Sequence, residues 1–454
     1  MNNFFSKSMT AEIKVITCLS LPIVAFNLIA LYSNIKLPYV NIDFLIIGFS
    51  FVFRNATIKA VCIVFLLAIT FISQSSEIAG ALYYFDIYQS LRFISYANNW
   101  PLNSLILPGL CVIISVLILT RILLRVSRAV NGIRLIPGLF VILLLSDIFG
   151  GTNAIKVEDT RRRINFITSP TFAVFQAARD LIMAEPEPLV QWEVKPASHK
   201  LLKDALMNDH GNSFVLSIGF ESLGLPLATE ERILLVEMFT QAFFKHKLAV
   251  FQTEKFKGGT LNGELRALCG LKINPMMLVL MDKNIYDCIP QIASKASWET
   301  YAVHGNTGGF YDRSNVYESV GFKGRLFYRE LNENGASVCN DAFSGICDGS
   351  AIATAIASMS PSSSKKFMHF MTLETHFPLP HNTDDLDIEC RKMGSSYYVK
   401  VCDSVRAIAN GIYSSAIVPD HIVIFGDHPP PFISGRNRDS FSKNEVPVFH
   451  FIKL

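Results

Sequence analysis

Long apolar runs fill the first 150 residues, and short apolar runs separated by polar, glycine-rich and proline-rich stretches fill the rest. Five near-continuous apolar runs cover roughly 13–33, 41–53, 57–74, 103–122 and 135–150. A lone helix needs about 20 apolar residues to cross a bilayer. The first, third and fourth runs approach that length; the second and fifth are short. Several runs of this kind are rare as buried helices of a soluble protein, so the pattern predicts a membrane domain of about five helices over residues 1–150. Further runs after the first argue against a cleaved signal peptide.

Residues 151–210 read as a connector. Arg161, Arg162 and Arg163 open it, a helical stretch follows around 170–184, and Glu185-Pro186-Glu187-Pro188 breaks that stretch. From 211 to 454 the pattern changes. Phe214–Phe220, Met276–Met281, Phe367–Leu373 and His421–Phe425 are short apolar runs suited to buried strands, and residues 228–247 read as an amphipathic helix. Strands separated by helices predict an α/β domain with a mainly parallel sheet flanked by helices. In such sheets ligands collect at the carboxyl ends of the strands.

Composition supports the division. Charged residues are 17% of the chain and hydrophobic ones 50%, against about 25% charged in an average soluble chain. The net charge of +3 gives no reason to expect nucleic acid as a partner. With five spans and the N-terminus inside, the inner segments hold Lys7, Lys14, Arg54, Lys59, Arg121, Arg125, Arg128 and Arg134, and the outer ones only Lys36 and Arg92. That bias places residues after 150 outside the cytoplasm; without the short second run, four spans would reverse the placement. Cys269, Cys288, Cys339, Cys347, Cys390 and Cys402 all lie in the soluble part, an even number that suits an oxidising compartment. The close pairs Cys339/Cys347 and Cys390/Cys402 could form local disulfides, and six buried thiols are the alternative.

Three expected strand ends carry candidate chemistry: Glu221, Thr375-His376 and Gly426-Asp427-His428; Gly258-Gly259-Thr260 stands before a helix. Carboxylates with a histidine can hold a divalent metal, and a hydroxyl at a helix start can act as a nucleophile if a metal lowers its pKa. Taken singly, Asp427-His428-Pro429 is a turn, Thr260 an N-cap, and His376 a core residue.

Taken in order, the segments LSIGFES, FKGGTLNGELRALCG, HGNTGGFYDRSNVYESVGF, TLETHFPLP and GDHPPP resemble the alkaline phosphatase/sulfatase superfamily. The branch is the membrane-bound one of lipoteichoic acid synthases, phosphoglycerol transferases and phosphoethanolamine transferases. The resemblance implies metal ligands at Glu221, Thr260, Asp427 and His428, with Thr260 as catalytic nucleophile and one divalent ion, Mn, Zn or Mg. It implies substrate contacts at His304, Tyr311, Arg313 and His376. Tyr311 stands where lipoteichoic acid synthases typically have Trp, and Asp312 where Asn is usual, so the headgroup stays open. The function implied is transfer of a phosphoglycerol-type headgroup from a phospholipid donor, through a phospho-threonine, to an envelope glycan or lipid-linked sugar. The location implied is the bacterial inner membrane, with the catalytic domain on the periplasmic side. The alternatives are a phosphoethanolamine transferase, a sulfatase or phosphodiesterase, and a non-catalytic binding module. The C/S-x-P-x-R motif of classical sulfatases is absent.

Overall fold

Two helices, Ala56–Tyr83 and Leu102–Ser127, occupy the third and fourth apolar runs. They belong to a computed structural model that describes residues 40–41, 43–83, 102–128, 155–156, 163–164, 167–168, 192, 194–207, 213–272, 287–340, 344–359, 365–376, 379, 390, 395–431 and 440–454. The chain divides into two compact units, residues 1–184 with 433–435 and residues 185–432 with 436–454.

In the first unit the two helices enclose a small core of Phe44, Ile47, Phe51, Ile63, Leu67 and Leu123. Asn55 starts the first helix by accepting from the Thr57 and Ile58 backbone N–H groups at 2.9 and 3.2 Å. The remaining helix surface is apolar and exposed, with Val61, Phe65, Ile113 and Leu117 all more than half accessible. Among the described residues, no helix is long and apolar enough to cross a membrane, so they do not show the expected membrane domain. The run at 41–53 is not one span. It breaks into a strand pair at Val40–Asn41, a four-residue helix Asp43–Ile46 and a 3-10 helix Ile47–Val52. Gly48 and Ser50 lie within that 3-10 helix, and the Ser50 hydroxyl donates back to the Ile47 carbonyl at 2.6 Å. The runs at 13–33 and 135–150 and the helical stretch at 170–184 lie outside the described residues.

The second unit is built on a seven-stranded sheet. Its elements are α1 (Ala197–Met207), β1 (Phe214–Phe220), α2 (Thr229–Ala242), β2 (His246–Lys255), α3 (Thr260–Cys269), α4 (Ile289–Lys295), β3 (Glu299–His304), α5 (Arg313–Ser319), β4 (Gly324–Leu326), α6 (Tyr328–Glu333), β5 (Val338–Asn340), β6 (Ser344–Ile346), α7 (Asp348–Ser358), β7 (Lys366–Met371), α8 (Ser396–Tyr413), β8 (His421–Gly426) and β9 (Glu445–Lys453). The sheet order is β2-β9-β8-β1-β7-β3-β4. Neighbours from β8 to β4 pair in parallel, and β9 pairs antiparallel with β8 and β2. The α/β class and mainly parallel sheet expected from the sequence are present.

The central strands are buried along their whole length, as continuous apolar runs require when helices cover both faces. The helix expected at 228–247 stops at Ala242, and residues from His246 already belong to β2. Met276–Met281 lies outside the described residues. All six cysteines of this unit are paired, as Cys269–Cys288, Cys339–Cys347 and Cys390–Cys402.

Helix α3 lies close against the end of β8. A Cβ built on Gly263 would sit 2.8 Å from the Asp427 Cα and Cβ, so any larger side chain pushes α3 off the backbone it touches. Gly263→Ala should therefore destabilise this unit by about 1–3 kcal/mol, the usual cost of overpacking. Gly309→Ala, whose new Cβ meets nothing nearer than Thr307 Oγ1 at 3.9 Å, should cost far less. Thermal melts of the two variants decide the matter, and equal losses would remove the close-packing argument.

Candidate active site

The site is a product of strand order. β8, β1, β7 and β3 are adjacent and parallel, with Gly426 beside Phe220, Met371 beside Gly219, and His304 beside Met371. The residues just beyond those ends, or at them, are Asp427-His428, Glu221, Thr375-His376 and His304. Thr260 joins them from the first turn of α3, after the Gly258-Gly259 turn.

The Thr260 hydroxyl donates to Glu221 Oε2 at 2.9 Å and lies 3.4 Å from His428 Nε2. His428 Nδ1 faces the Pro429 carbonyl at 2.9 Å, a bond that needs Nδ1–H and turns Nε2 toward Glu221 Oε1 and Asp427 Oδ2, each 3.4 Å away. Asp427 Oδ1 accepts the backbone N–H groups of Ser222 and His428 at 2.8 and 2.6 Å. Its Oδ2 is buried and has no hydrogen-bond partner. Ligand atoms of Glu221, Asp427 and His428 lie within 4.8 Å of one another, and all three residues are buried.

The electrostatics fit a cation. Burial alone would raise the Glu221 carboxyl, but the charges of His376 and His428 and the bonds from His428 and Thr260 outweigh it and hold it well below 4.5. Burial and the Glu221 charge push Asp427 up to about 8. Burial works against a charged His428, yet Asp427 and Glu221 lift it to about 9. Two buried carboxylates that cannot both ionise comfortably, an orphaned oxygen and an imidazole with its far nitrogen fixed make a donor set suited to a divalent ion.

Glu221 is fixed from behind. Its N–H donates to Thr372 Oγ1 at 2.8 Å, its carbonyl accepts from Thr375 Oγ1 at 2.7 Å, and Ser222 turns the chain with φ +57°. The loop carrying His376 is clamped to α7. Asp348 accepts the Leu373 and Glu374 N–H groups at 2.8 and 3.0 Å, and Glu374 accepts the Asp348 N–H at 2.6 Å.

Tyr311, Arg313 and His304, three of the other expected contacts, adjoin one another, with Tyr311 next to Thr260. Tyr311 lies within hydrogen-bonding reach of Thr260, and burial raises its hydroxyl well above 10. Tyr311 and Asp312 both have φ +57°. Arg313 is only 1% exposed and sits 5.0 Å from the centre of the Tyr311 ring. His304 Nδ1 faces the Met371 carbonyl at 3.0 Å, and its Nε2 accepts from Arg313 Nη1 at 3.2 Å. Burial and the Arg313 charge push His304 down to about 3, so it is neutral. The structure thus brings Glu221, Thr260, His304, Tyr311, Arg313, His376, Asp427 and His428 to one end of the sheet.

Sequence reasoning missed two residues on α3. Glu264 accepts from Arg313 Nε and Nη2 at 3.0 and 2.9 Å. Arg266 reaches the carbonyls of Gly426 and Asp427 at 2.6 and 3.2 Å and pairs with Glu254 at 2.7 Å. Only their spacing could have flagged them: Thr260 and Glu264 are four apart and share a helix face.

The sulfatase family model matches residues 268–398. No curated protein matches the chain significantly. Several solved structures are similar at low identity. The lipoteichoic acid synthase LtaP from Listeria monocytogenes is 15% identical, with 56% of this chain and 71% of that one covered and a TM-score of 0.38. The phosphoglycerol transferase GacH from Streptococcus pyogenes, solved with sn-glycerol-1-phosphate, is 13% identical, with 56% and 72% covered and a TM-score of 0.39. The lipooligosaccharide phosphoethanolamine transferase EptA from Neisseria meningitidis is 11% identical, with 95% and 88% covered and a TM-score of 0.41. The chain is thus similar to the sulfatase family over residues 268–398.

Proposed function

We propose that this is a membrane-anchored, metal-dependent phosphotransferase. It moves a phosphoglycerol headgroup from a phospholipid to a hydroxyl of a cell-envelope glycan or lipid-linked sugar, through a phospho-threonine at Thr260. The observation that carries the reading is the Thr260 hydroxyl, which opens a buried helix, donates to Glu221 and lies beside His428. Residues 1–150 are the anchor, 151–210 the connector, and 211–454 the catalytic domain, facing away from the cytoplasm. Support for that arrangement comes from the apolar runs, the exposed apolar helix faces and three disulfides.

Glu221, Asp427, His428 and the Thr260 oxygen would hold one divalent ion, Mn, Zn or Mg. When bound, the ion supplies Lewis-acid stabilisation for charge on the transferring phosphoryl group. Thr260 Oγ1 forms a bond to phosphorus while the bond from phosphorus to the diacylglycerol oxygen breaks. The proton leaving Thr260 is the one the departing diacylglycerol requires. The acceptor hydroxyl then displaces Thr260, and its proton returns there. Arg313, 5.0 Å from the centre of the Tyr311 ring, would face the phosphoryl oxygens. Neutral His304 accepts from Arg313 without competing for anions. His376 steadies the phosphate and Tyr311 covers the headgroup. A sulfatase reading lacks its C/S-x-P-x-R motif, and a non-catalytic module would not need each ligand position filled.

Headgroup-labelled phosphatidylglycerol should label Thr260 when presented to sealed right-side-out vesicles, and Thr260→Ala should abolish the label. Labelling by phosphatidylethanolamine alone would reverse the headgroup, labelling only in inverted vesicles would reverse the orientation, and labelling by neither lipid would remove the donor mechanism.

Asp427→Asn should lose both bound metal and activity, read by elemental analysis and transfer assay. Full activity of thoroughly chelated wild-type protein would contradict the metal requirement.

Protonation of His304 costs stability. The unfolded chain takes a proton near pH 6.5 that folded His304 accepts only near 3. This stabilisation is whole above about pH 6.5 and falls as pH drops toward 3. Glu264, lowered to about 2 despite its burial because of Arg313, adds a further loss below about 4.5. The melting temperature should fall between pH 7 and pH 4, and His304→Gln should flatten the upper part of that fall. An unchanged slope in the variant would show that His304 is not neutral in the fold.

A further inference from the structure

Behind Arg313 lies a buried polar cluster that the transfer chemistry does not itself use. Its centre is Glu264, 1% exposed, one turn beyond Thr260 on α3. Oε1 accepts both Nε and Nη2 of Arg313. Oε2 accepts the Tyr317 hydroxyl from α5 and faces His369 Nε2, on β7, at 3.3 Å. The His369 Nδ1 in turn faces Ser217 Oγ on β1 at 3.1 Å. Both carboxylate oxygens are therefore tied, and the group cannot rotate about its own bond.

We propose that Glu264 is a positioning residue: through Arg313 it sets where a phosphoryl group is gripped relative to Thr260. The inference rests on the phosphoryl-transfer reading of the site. Thr260 and Glu264 stand four residues apart on a rigid helix, about 6 Å of axial rise. Arg313 arrives from a different segment, at the start of α5. Glu264 makes the helix a fixed spacer between the attacking oxygen and the guanidinium. Of the five N–H donors of a guanidinium, Glu264 and His304 engage three and the Tyr317 hydroxyl lies within reach of the same group, which leaves a donor for a phosphoryl oxygen. A loose arginine would have to be ordered by the substrate itself, whereas this one is ordered beforehand.

The test uses the full-length, metal-loaded protein in lipid nanodiscs, with inorganic phosphate as the probe, titrated calorimetrically. Arg313→Ala should weaken phosphate binding at least tenfold, and Glu264→Gln by a similar factor at unchanged metal content. The double variant should bind no more weakly than Arg313→Ala alone, because Glu264 acts only through that arginine. Glu264→Asp keeps the charge but shortens the reach by one methylene, and should weaken phosphate at least fivefold. It carries the test if Glu264→Gln does not melt cooperatively. Phosphate binding within twofold of wild type in the folded variants, losses that multiply in the double variant, or no phosphate binding by wild type would each overturn the proposal. Lipid labelling of Thr260 separates the two readings. Phosphate binding that depends on Glu264 in a protein that no lipid labels would leave the positioning role standing and remove the lipid donor. Labelled Thr260 with phosphate binding indifferent to Glu264 would do the reverse.

Discussion

The candidate site of the second unit depends on burying α3, a ten-residue helix with nine residues buried, two of them charged. Such a helix is tolerable only if each charge meets a partner, since breaking a buried pair by removing one member costs about 3–5 kcal/mol. Glu264 meets Arg313, and Arg266 meets Glu254, which also accepts the Ser198 N–H at 2.8 Å. Each compensation reaches a different part of the site. Arg266 holds the backbone that carries Asp427, Gly263 sets how closely that backbone approaches, Glu264 fixes Arg313, and the first residue of the helix is Thr260. Stability and site geometry are therefore the same set of contacts.

Backbone strain gathers around this helix. Ser222, Tyr311 and Asp312 are non-glycine residues with φ +57°, a conformation that costs of order 1–3 kcal/mol each and persists only where the surroundings enforce it. For Ser222 the enforcement is visible: its N–H goes to Asp427 and its carbonyl accepts from Tyr397. For Tyr311 it is the arrangement of Phe310, Tyr311 and Arg313, with the two rings meeting edge-on 4.7 Å apart.

Much of the site was legible because it sits where apolar runs stop. Glu221, His376 and Asp427-His428 each follow such a run, and the strand order places them side by side. Glu264 and Arg266 were not legible, because a charged residue in NGELRA reads as a solvated helix face and nothing local says otherwise. Strand β9 was missed for another reason. Pro447 interrupts EVPVFHFIK, and proline is normally excluded from a strand with neighbours on both sides. Here the pairing with β8 ends at Val448, so Pro447 lies just beyond the bonded stretch on that side. The reversed direction of β9 is a tertiary choice that leaves no periodic trace. The apolar run at 41–53 was over-read, since apolar composition alone does not tell a membrane span from the short α and 3-10 turns that these residues form.

The order of strands in the sheet also dictates an order of events in time. β1 and β2 are made early and consecutively, yet they are not neighbours; β8 and β9, the last strands of the chain, stand between them. Asp427 and His428 arrive with β8, and that strand can take its place only by entering a gap that β1 and β2 must leave open. A growing chain can thus shape Glu221 and Thr260 long before it can bring them to their partners. The half-built sheet is open along β1 and β2, so during synthesis it has exposed strand edges to protect.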